Sequence, residues 1–216
     1  MSQSPTPTNP IEIMERMVAT YRVAATYVDR GVVEVATISN GDRNSTMKHF
    51  TTAFVRPDNF RFEFRIDNDP QRAYVVWSDG NQTLTSWYVE PGVVDADVLG
   101  RAIAGATGVS SGAAVIVPNM LIPDVVEAQS IFELEDMRLV GNEVVEGTAC
   151  WRIRGFNAMG ERDVWIDQHT HLLRKMFARR PFPAEGELAA FDTEHTTVIN
   201  PVANEPVSSD LLLAPQ

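Results

Sequence analysis

His49–Arg65 reads HFTTAFVRPDNFRFEFR, and Ala73–Pro91 reads AYVVWSDGNQTLTSWYVEP. Side chains alternate faces along a strand, so Phe50, Thr52, Phe54 and Arg56 share one face of the first run. Phe60, Phe62, Phe64 and Ile66 share a face of the next, with Arg61, Glu63 and Arg65 between them. One side is oily and the other charged. Arg56-Pro57-Asp58 separates the two runs, because proline fixes its own backbone and donates no hydrogen bond. Asp79-Gly80 between the following apolar runs is a strong hairpin signal. Four consecutive strands with a phenylalanine-lined side predict a curved antiparallel sheet.

Upstream, Asn9-Pro10-Ile11-Glu12 predicts a helix start: Asn9 as N-cap, Pro10 at the first helical position, Glu12 closing a capping box. Ile11, Met14, Val18, Tyr21 and Ala25 recur at helical spacing to about residue 25. Tyr27–Ser39 is a strand candidate and Asn40-Gly41-Asp42 a turn. Residues 1–8, rich in Ser, Thr and Pro, read as a disordered tail. Residues 9–216 are expected to form one domain.

Downstream, Val98, Leu99, Ala102, Ile103 and Ala106 have helical spacing from Asp95, with Asp95 or Asp97 as cap. Residues 104–114, AGATGVSSGAA, are nearly all small, and 115–121 is apolar and bounded by Pro118 and Pro123. This segment is expected either to cover a cavity or to form a helical hairpin filling the concave side of the sheet. Further strands are expected from Ile131 to Val140, ending at Gly141-Asn142. Others follow over Val144–Gly147 and Ala149–Arg154, and over 162–167 and 172–178 around the turn Gln168–His171. The last runs from Leu188 to Ile199, with an extended tail behind it. About ten strands, one N-terminal helix and a helical insert give an α+β fold built on one large antiparallel sheet.

The 216 residues carry a formal net charge of −11, with 44% hydrophobic and 22% charged side chains. No basic run offsets that charge, so nucleic acid and anionic membrane surfaces are poor partners. With one cysteine, Cys150, neither an internal disulfide nor a cysteine metal cage can form. No apolar run is long enough for a transmembrane helix. The first residues lack a signal peptide's basic and apolar regions. The chain is therefore cytoplasmic, or it begins after a removed signal.

Gly108-Val109-Ser110-Ser111-Gly112 fits G-x-S-x-G, which would make Ser110 a nucleophile with Asp124, Asp136 or Asp163 and His169, His171 or His195 as partners. A nucleophile elbow needs a strand before the serine, and here the preceding residues have helical spacing. His169 and His171 lie in a turn without a third ligand at metal-site spacing, so no metal is expected. The carboxylate pairs Asp67/Asp69, Asp95/Asp97 and Glu133/Glu135 fit solvated positions. No phosphate-binding or dinucleotide fingerprint exists, so no cofactor is expected and no catalytic residue is assigned. Trp77, Trp87, Trp151 and Trp165 suit core packing.

The central stretch resembles the segment of the LolA/LolB-like lipoprotein carriers that runs strand, Arg-Pro-Asn, aromatic strand, "SDGKTLW", then an aromatic run ending in Asn-Pro. WIDQHTHLLRKM, residues 165–176, resembles that group's late strand-turn-strand. The order of elements agrees over most of residues 11–213. The resemblance implies an unclosed β half-barrel covered by helices around an apolar cavity, which in the carriers takes lipoprotein acyl chains in the periplasm. It implies a non-enzymatic binding protein of the periplasm or cell envelope. Its ligand would be a lipid or an acylated lipoprotein, and an envelope protein is a further candidate partner. The alternatives are an envelope sensor of the RseB type and the Ser110 hydrolase. The expected cavity wall comprises Phe50, Phe54, Phe60, Phe62 and Phe64 from the strands, and Leu99, Ile103, Val117, Met120 and Leu121 from the insert. Arg56 occupies the carriers' Arg-Pro position, whose arginine ties the lid shut through lid backbone.

Overall fold

A computed structural model describes residues 9–126, 133–157, 160–184 and 189–216. The expected tail at 1–8 and the expected strand starts at Ile131 and Leu188 lie outside the described residues.

The helix α1 spans Pro10–Val23 and the strands β1 and β2 span Thr26–Ser39 and Asp42–Val55. Then come β3 (Asn59–Ile66), β4 (Ala73–Asp79), β5 (Thr83–Trp87) and β6 (Glu90–Asp95). The insert holds α2 (Leu99–Val109), α3 (Ala113–Ile116) and α4 (Pro118–Leu121). It is followed by β7 (Glu135–Val145), β8 (Thr148–Asn157), β9 (Gly160–Asp167), β10 (Leu173–Phe182) and β11 (Phe191–Ala203). Among the described residues, eleven strands form one sheet in the order β6-β5-β4-β3-β2-β1-β11-β10-β9-β8-β7, every pairing antiparallel.

That order fixes where the helices go. β6 and β7 are the two free edges, yet they are consecutive in the chain, so the segment joining them must cross the sheet from one edge to the other. It crosses on the apolar face, and α2, α3 and α4 bury Ala102, Ile103, Ala113, Ile116, Met120 and Leu121 there. The structure is an unclosed half-barrel with helices along its trough.

The strand reading of Phe50–Ile66 holds residue by residue. Phe50 pairs with Phe64, Thr52 with Phe62 and Phe54 with Phe60, all buried on the trough side. Arg61, Glu63 and Arg65 lie on the outer face, where both arginines bond Glu63. At the β1–β2 hairpin Asn40 and Gly41 have φ of 53° and 89°, the doubly left-handed turn that matches strand twist. Gly31 has a different task. A Cβ built there would meet the Phe50 ring at 2.2 Å, so the missing side chain lets that ring lie flat across β1.

Several boundaries differ from expectation, each for a local reason. Asn9 caps α1 by accepting from Ile11 N at 3.0 Å, but Glu12 closes no capping box and instead pairs with Arg16 one turn on. The buried stripe of α1 is Ile13, Met14, Met17 and Tyr21, while Ile11 is exposed. Residues 90–95 form β6 rather than a helix approach, an edge strand whose residues are all exposed. α2 starts at Leu99 with Val98 as its uncapped N-cap, and Asp95 accepts from Asp97 N instead. Gly141 is a bulge inside β7, with a register shift beside it, and the turn falls at Glu146-Gly147. β11 continues through Pro201 to Ala203, and the tail then curls into a short 3₁₀ turn at Ser209–Leu212. It is held on the outer face by Trp77 Nε1 donating to Leu212 O at 2.7 Å and Arg61 Nε donating to Leu213 O at 3.1 Å.

Gly31→Ala forces a methyl into the Phe50 ring and is expected to lower unfolding stability by ~1–3 kcal/mol, read from the denaturant midpoint.

Candidate functional site

Arg56 directly follows β2 and reaches three backbone carbonyls. Its Nε donates to Ala24 O at 3.0 Å, and Nη2 donates to Arg22 O at 3.0 Å and Leu121 O at 3.1 Å. The guanidinium also stands 5.1 Å from the centre of the Phe54 ring. One side chain thus ties the C-terminus of α1 to the end of α4. A guanidinium's fixed fork suits several carbonyls at once, and cationic charge is favourable at helix C-termini.

The ten expected wall residues come together, but against one another. Phe50, Phe54, Phe60, Phe62, Phe64, Ile103, Val117, Met120 and Leu121 are buried in one continuous core, with half-buried Leu99 packed against it. Phe50 and Phe62 lie 6.1 Å apart, and Phe64 stacks on Tyr74 at 5.8 Å. None of the ten borders the apolar cavity.

That cavity lies further along the trough, between the α2–α3 turn and strands β9–β11, with a volume of about 500 Å³. Thr107, Gly108, Ser111, Gly112, Val115 and Ile116 form its helical side. Met176, Ala178, Arg180 and Phe182 from β10, and Thr193, His195 and Thr197 from β11, form most of its sheet side, with Arg162 from β9. Its volume lies within the ~300–1,000 Å³ usual for small-molecule sites. The α2 roof is held by Lys48, whose Nζ donates to Val109 O at 2.7 Å and Ser111 Oγ at 2.9 Å. Burial lowers the Lys48 pKa. His195 is lowered as well, first by burial and then by the charge of Arg162. Sequence reasoning missed this region. Its signal was the same-parity run of Met176, Ala178 and Phe182, weaker than the phenylalanine pattern and broken by Arg180 on the same face.

A second feature absent from the sequence reading is a buried carboxyl. Asp29 is fully buried on the trough side of β1. Its Oδ1 accepts from Thr52 N at 2.8 Å and its Oδ2 from the Tyr27 hydroxyl at 2.9 Å. Tyr21 continues the cluster, its hydroxyl accepting from Leu173 N at 3.1 Å. Burial raises the Asp29 pKa to about 7, against the opposing hydrogen bonds from Thr52 and Tyr27.

The enzyme candidates are placed otherwise. Ser110 is the buried C-terminal cap of α2, not the tip of a strand-to-helix turn, and its Oγ accepts from Ala114 N at 3.1 Å. Asp163 lies on the outer face, clamped by Arg152 and Arg154. His171 packs 5.5 Å from the Trp151 ring, and His169 sits exposed in the turn. Among the described residues no three metal-ligating side chains converge, and no helix is long and apolar enough to cross a membrane. Trp151 and Trp165 are buried, whereas Trp77 and Trp87 are half-buried.

A family model described as "Predicted periplasmic protein (DUF2092)" matches residues 11–186. No curated protein matches the chain. Among solved structures, LprF from Mycobacterium bovis is similar with a TM-score of 0.51 at 12% identity, covering 96% of this chain and 97% of that one. MucB is similar with a TM-score of 0.49 at 15% identity, covering 98% of this chain and 65% of that one. A LolA superfamily protein from Nitrosomonas europaea gives a TM-score of 0.35 at 10% identity, covering 96% and 99%. The LprF likeness supports the shared fold.

Two outcomes are expected. Arg56→Leu frees three carbonyls and should lower stability by about 2 kcal/mol, with faster amide hydrogen exchange concentrated at residues 118–122. Asp29 binds its proton more tightly folded than unfolded, so its contribution is complete below pH ~4 and is lost as pH rises through about 7. His171 and His195, with lowered pKa values, act in the opposite direction. The readout is therefore the difference between proteins: wild type should lose up to about 4 kcal/mol relative to Asp29→Asn between pH 4 and 8 in urea titrations.

Proposed function

The chain belongs to the DUF2092 family of predicted periplasmic proteins, and from that premise we propose that it is a non-enzymatic binding or carrier protein of the cell envelope. It holds the alkyl part of a lipid or of an acylated lipoprotein. The observation that carries this reading is the apolar cavity of about 500 Å³ left between the α2–α3 turn and β9–β11, beside a buried core that takes up Phe50, Phe54, Phe60, Phe62 and Phe64.

The driving force is removal of alkyl surface from water, ~0.8 kcal/mol per buried CH₂. Ten methylenes give about 8 kcal/mol before ordering costs, the scale of micromolar affinity. Arg56 serves as the gate. Releasing Leu121 O from Arg56 frees α4 from α1, and movement of α2–α4 would extend the cavity onto the wall of Phe50, Phe54, Phe60, Phe62 and Phe64. Leu99, Ile103, Val117, Met120 and Leu121 would move with the helices as the other side of that wall. A chain bound in the closed state therefore occupies the β9–β11 end, and a larger one requires the gate.

Native mass spectrometry of the purified protein, alongside titration with the fluorophore N-phenyl-1-naphthylamine, tests the reading. A co-purified lipid mass or saturable probe binding is expected. Val115→Trp, which plugs the cavity from its helical side, should weaken the probe by about tenfold or more, since it removes the space rather than the fold. A protein that carries no lipid and binds no apolar probe would end the carrier proposal and leave the fold.

A further inference from the structure

Lys48 shares the parity of Phe50 and Phe54 on β2, and it is half-buried where Thr46 and Asn44, next along that parity, are exposed. It therefore stands at the rim of the trough. Its ammonium donates to Val109 O at 2.7 Å and Ser111 Oγ at 2.9 Å. Val109 ends α2, and Ser111 lines the cavity. Across the sheet, Val33 pairs with Lys48 on one side and with Thr197 on the other, and Thr197 pairs with Met176. Thr197 and Met176 also line the cavity. Lys48 thus lies on the rung that crosses the cavity, two strands from Thr197, or about 10 Å at strand spacing.

The α2–α3 turn is supported unevenly. The helix before it packs on β4 and β5, at the other side of the sheet from the cavity. The turn itself overhangs β9–β11, and a Cβ added at Gly108 or Gly112 would meet no atom within 4 Å. Ser111 and Gly112 are both left-handed, with φ of 58° and 86°. Glycine adopts that backbone freely, whereas in serine it is strained and persists where contacts hold it. The Lys48 bond to Ser111 Oγ is such a contact.

The chemistry of Lys48 suits a hold that opens and closes. Both acceptors are neutral, and the ammonium makes no ion pair with a described carboxylate. It also stands 5.8 Å from the centre of the Phe64 ring. On leaving a carbonyl and a hydroxyl, a strongly hydrated ammonium on a flexible stem exchanges their hydrogen bonds for those of water and breaks no salt bridge. Arg56 acts elsewhere. It bonds Arg22 O, Ala24 O and Leu121 O, and none of these residues lines the cavity.

We infer that Lys48 is the latch of the cavity: it holds the α2–α3 turn down over β9–β11, and a ligand enters or leaves when that turn lifts from Lys48 while Arg56 stays engaged. This deepens the proposed binding function and rests on it, naming the residue that sets the exchange rate of a ligand seated in the closed protein.

Release of N-phenyl-1-naphthylamine from loaded protein into excess β-cyclodextrin, followed by stopped flow, tests it. Lys48→Met should speed release about tenfold, the scale of one hydrogen bond from a charged group. The latch is made with or without ligand, so association should speed up equally and Kd should stay within about threefold of wild type. Lys48→Arg, which keeps a cationic donor, should release the probe within about threefold of the wild-type rate. Arg56→Leu should leave probe release unchanged. Amide hydrogen exchange in Lys48→Met should quicken at residues 109–115 and not at 118–122. If Lys48→Met does not fold, Ser111→Gly supplies the test: it removes one acceptor, suits the left-handed backbone, and should speed release in the same direction. Release from Lys48→Met at the wild-type rate, or equal acceleration by Arg56→Leu, would overturn the latch and leave the carrier reading standing. Absence of probe binding to the wild type would overturn both.

Discussion

The chain enters and leaves its helical insert at opposite edges of one sheet, and most of the architecture follows from that constraint. β6 and β7 are consecutive strands, yet nine others lie between them. A connection of that reach has to run over a face of the sheet, and only one face is oily enough to receive it. The insert must present an apolar side to that face, as α2 does with Ala102, Ile103 and Ala106. Its small and apolar composition from Leu99 to Leu121 is what crossing a trough of phenylalanines demands.

The crossing is uneven. Over β1–β4 the helices meet large aromatic side chains and the contact is solid, with Phe54, Phe60, Phe62 and Phe64 all buried. Over β9–β11 they meet Thr193, Thr197, Ala178 and Met176, opposite the glycines of the α2–α3 turn, and the contact is incomplete. Small residues on both surfaces leave the volume. Lys48 and Arg56 then fix the insert at two places by bonding its backbone, Lys48 to Val109 O and Arg56 to Leu121 O. Both fixings act on carbonyls at helix ends, where no intrahelical partner exists, so they can be released without breaking a helix.

The fold was legible because its strongest signal is local. The alternation through Phe50–Ile66 and the turns at Asn40-Gly41 and Asp79-Gly80 place four strands and their inward faces without any tertiary knowledge. What alternation cannot say is which inward face stays uncovered. Phe50 through Phe64 were the obvious wall, and their very size is why the helices fill it. The cavity belongs to β10 and β11, where Arg180 and His195 disguise an inward face as a polar strand. Asp29 was hidden for a similar reason: one carboxyl between Val28 and Arg30 resembles a solvent position until Thr52 and Tyr27 arrive from elsewhere. β6 escaped notice because Glu90-Pro91-Gly92 has the composition of a turn, yet an edge strand tolerates proline.

The pairing of β1 with β11 joins Tyr27 to Ala203 and Ile38 to Asp192 along a dozen rungs at the centre of the sheet. Each half of the sheet is a meander that its own neighbours can assemble, but the seam between them joins β1 to β11, strands far apart in sequence. During synthesis the first strand must wait, unpaired on that side, until β11 has emerged. Such sequence-distant contacts make for slow, late consolidation. The trough therefore acquires its final curvature only when the last strand docks, and no shortened chain lacking residues 191–203 can present the finished chamber.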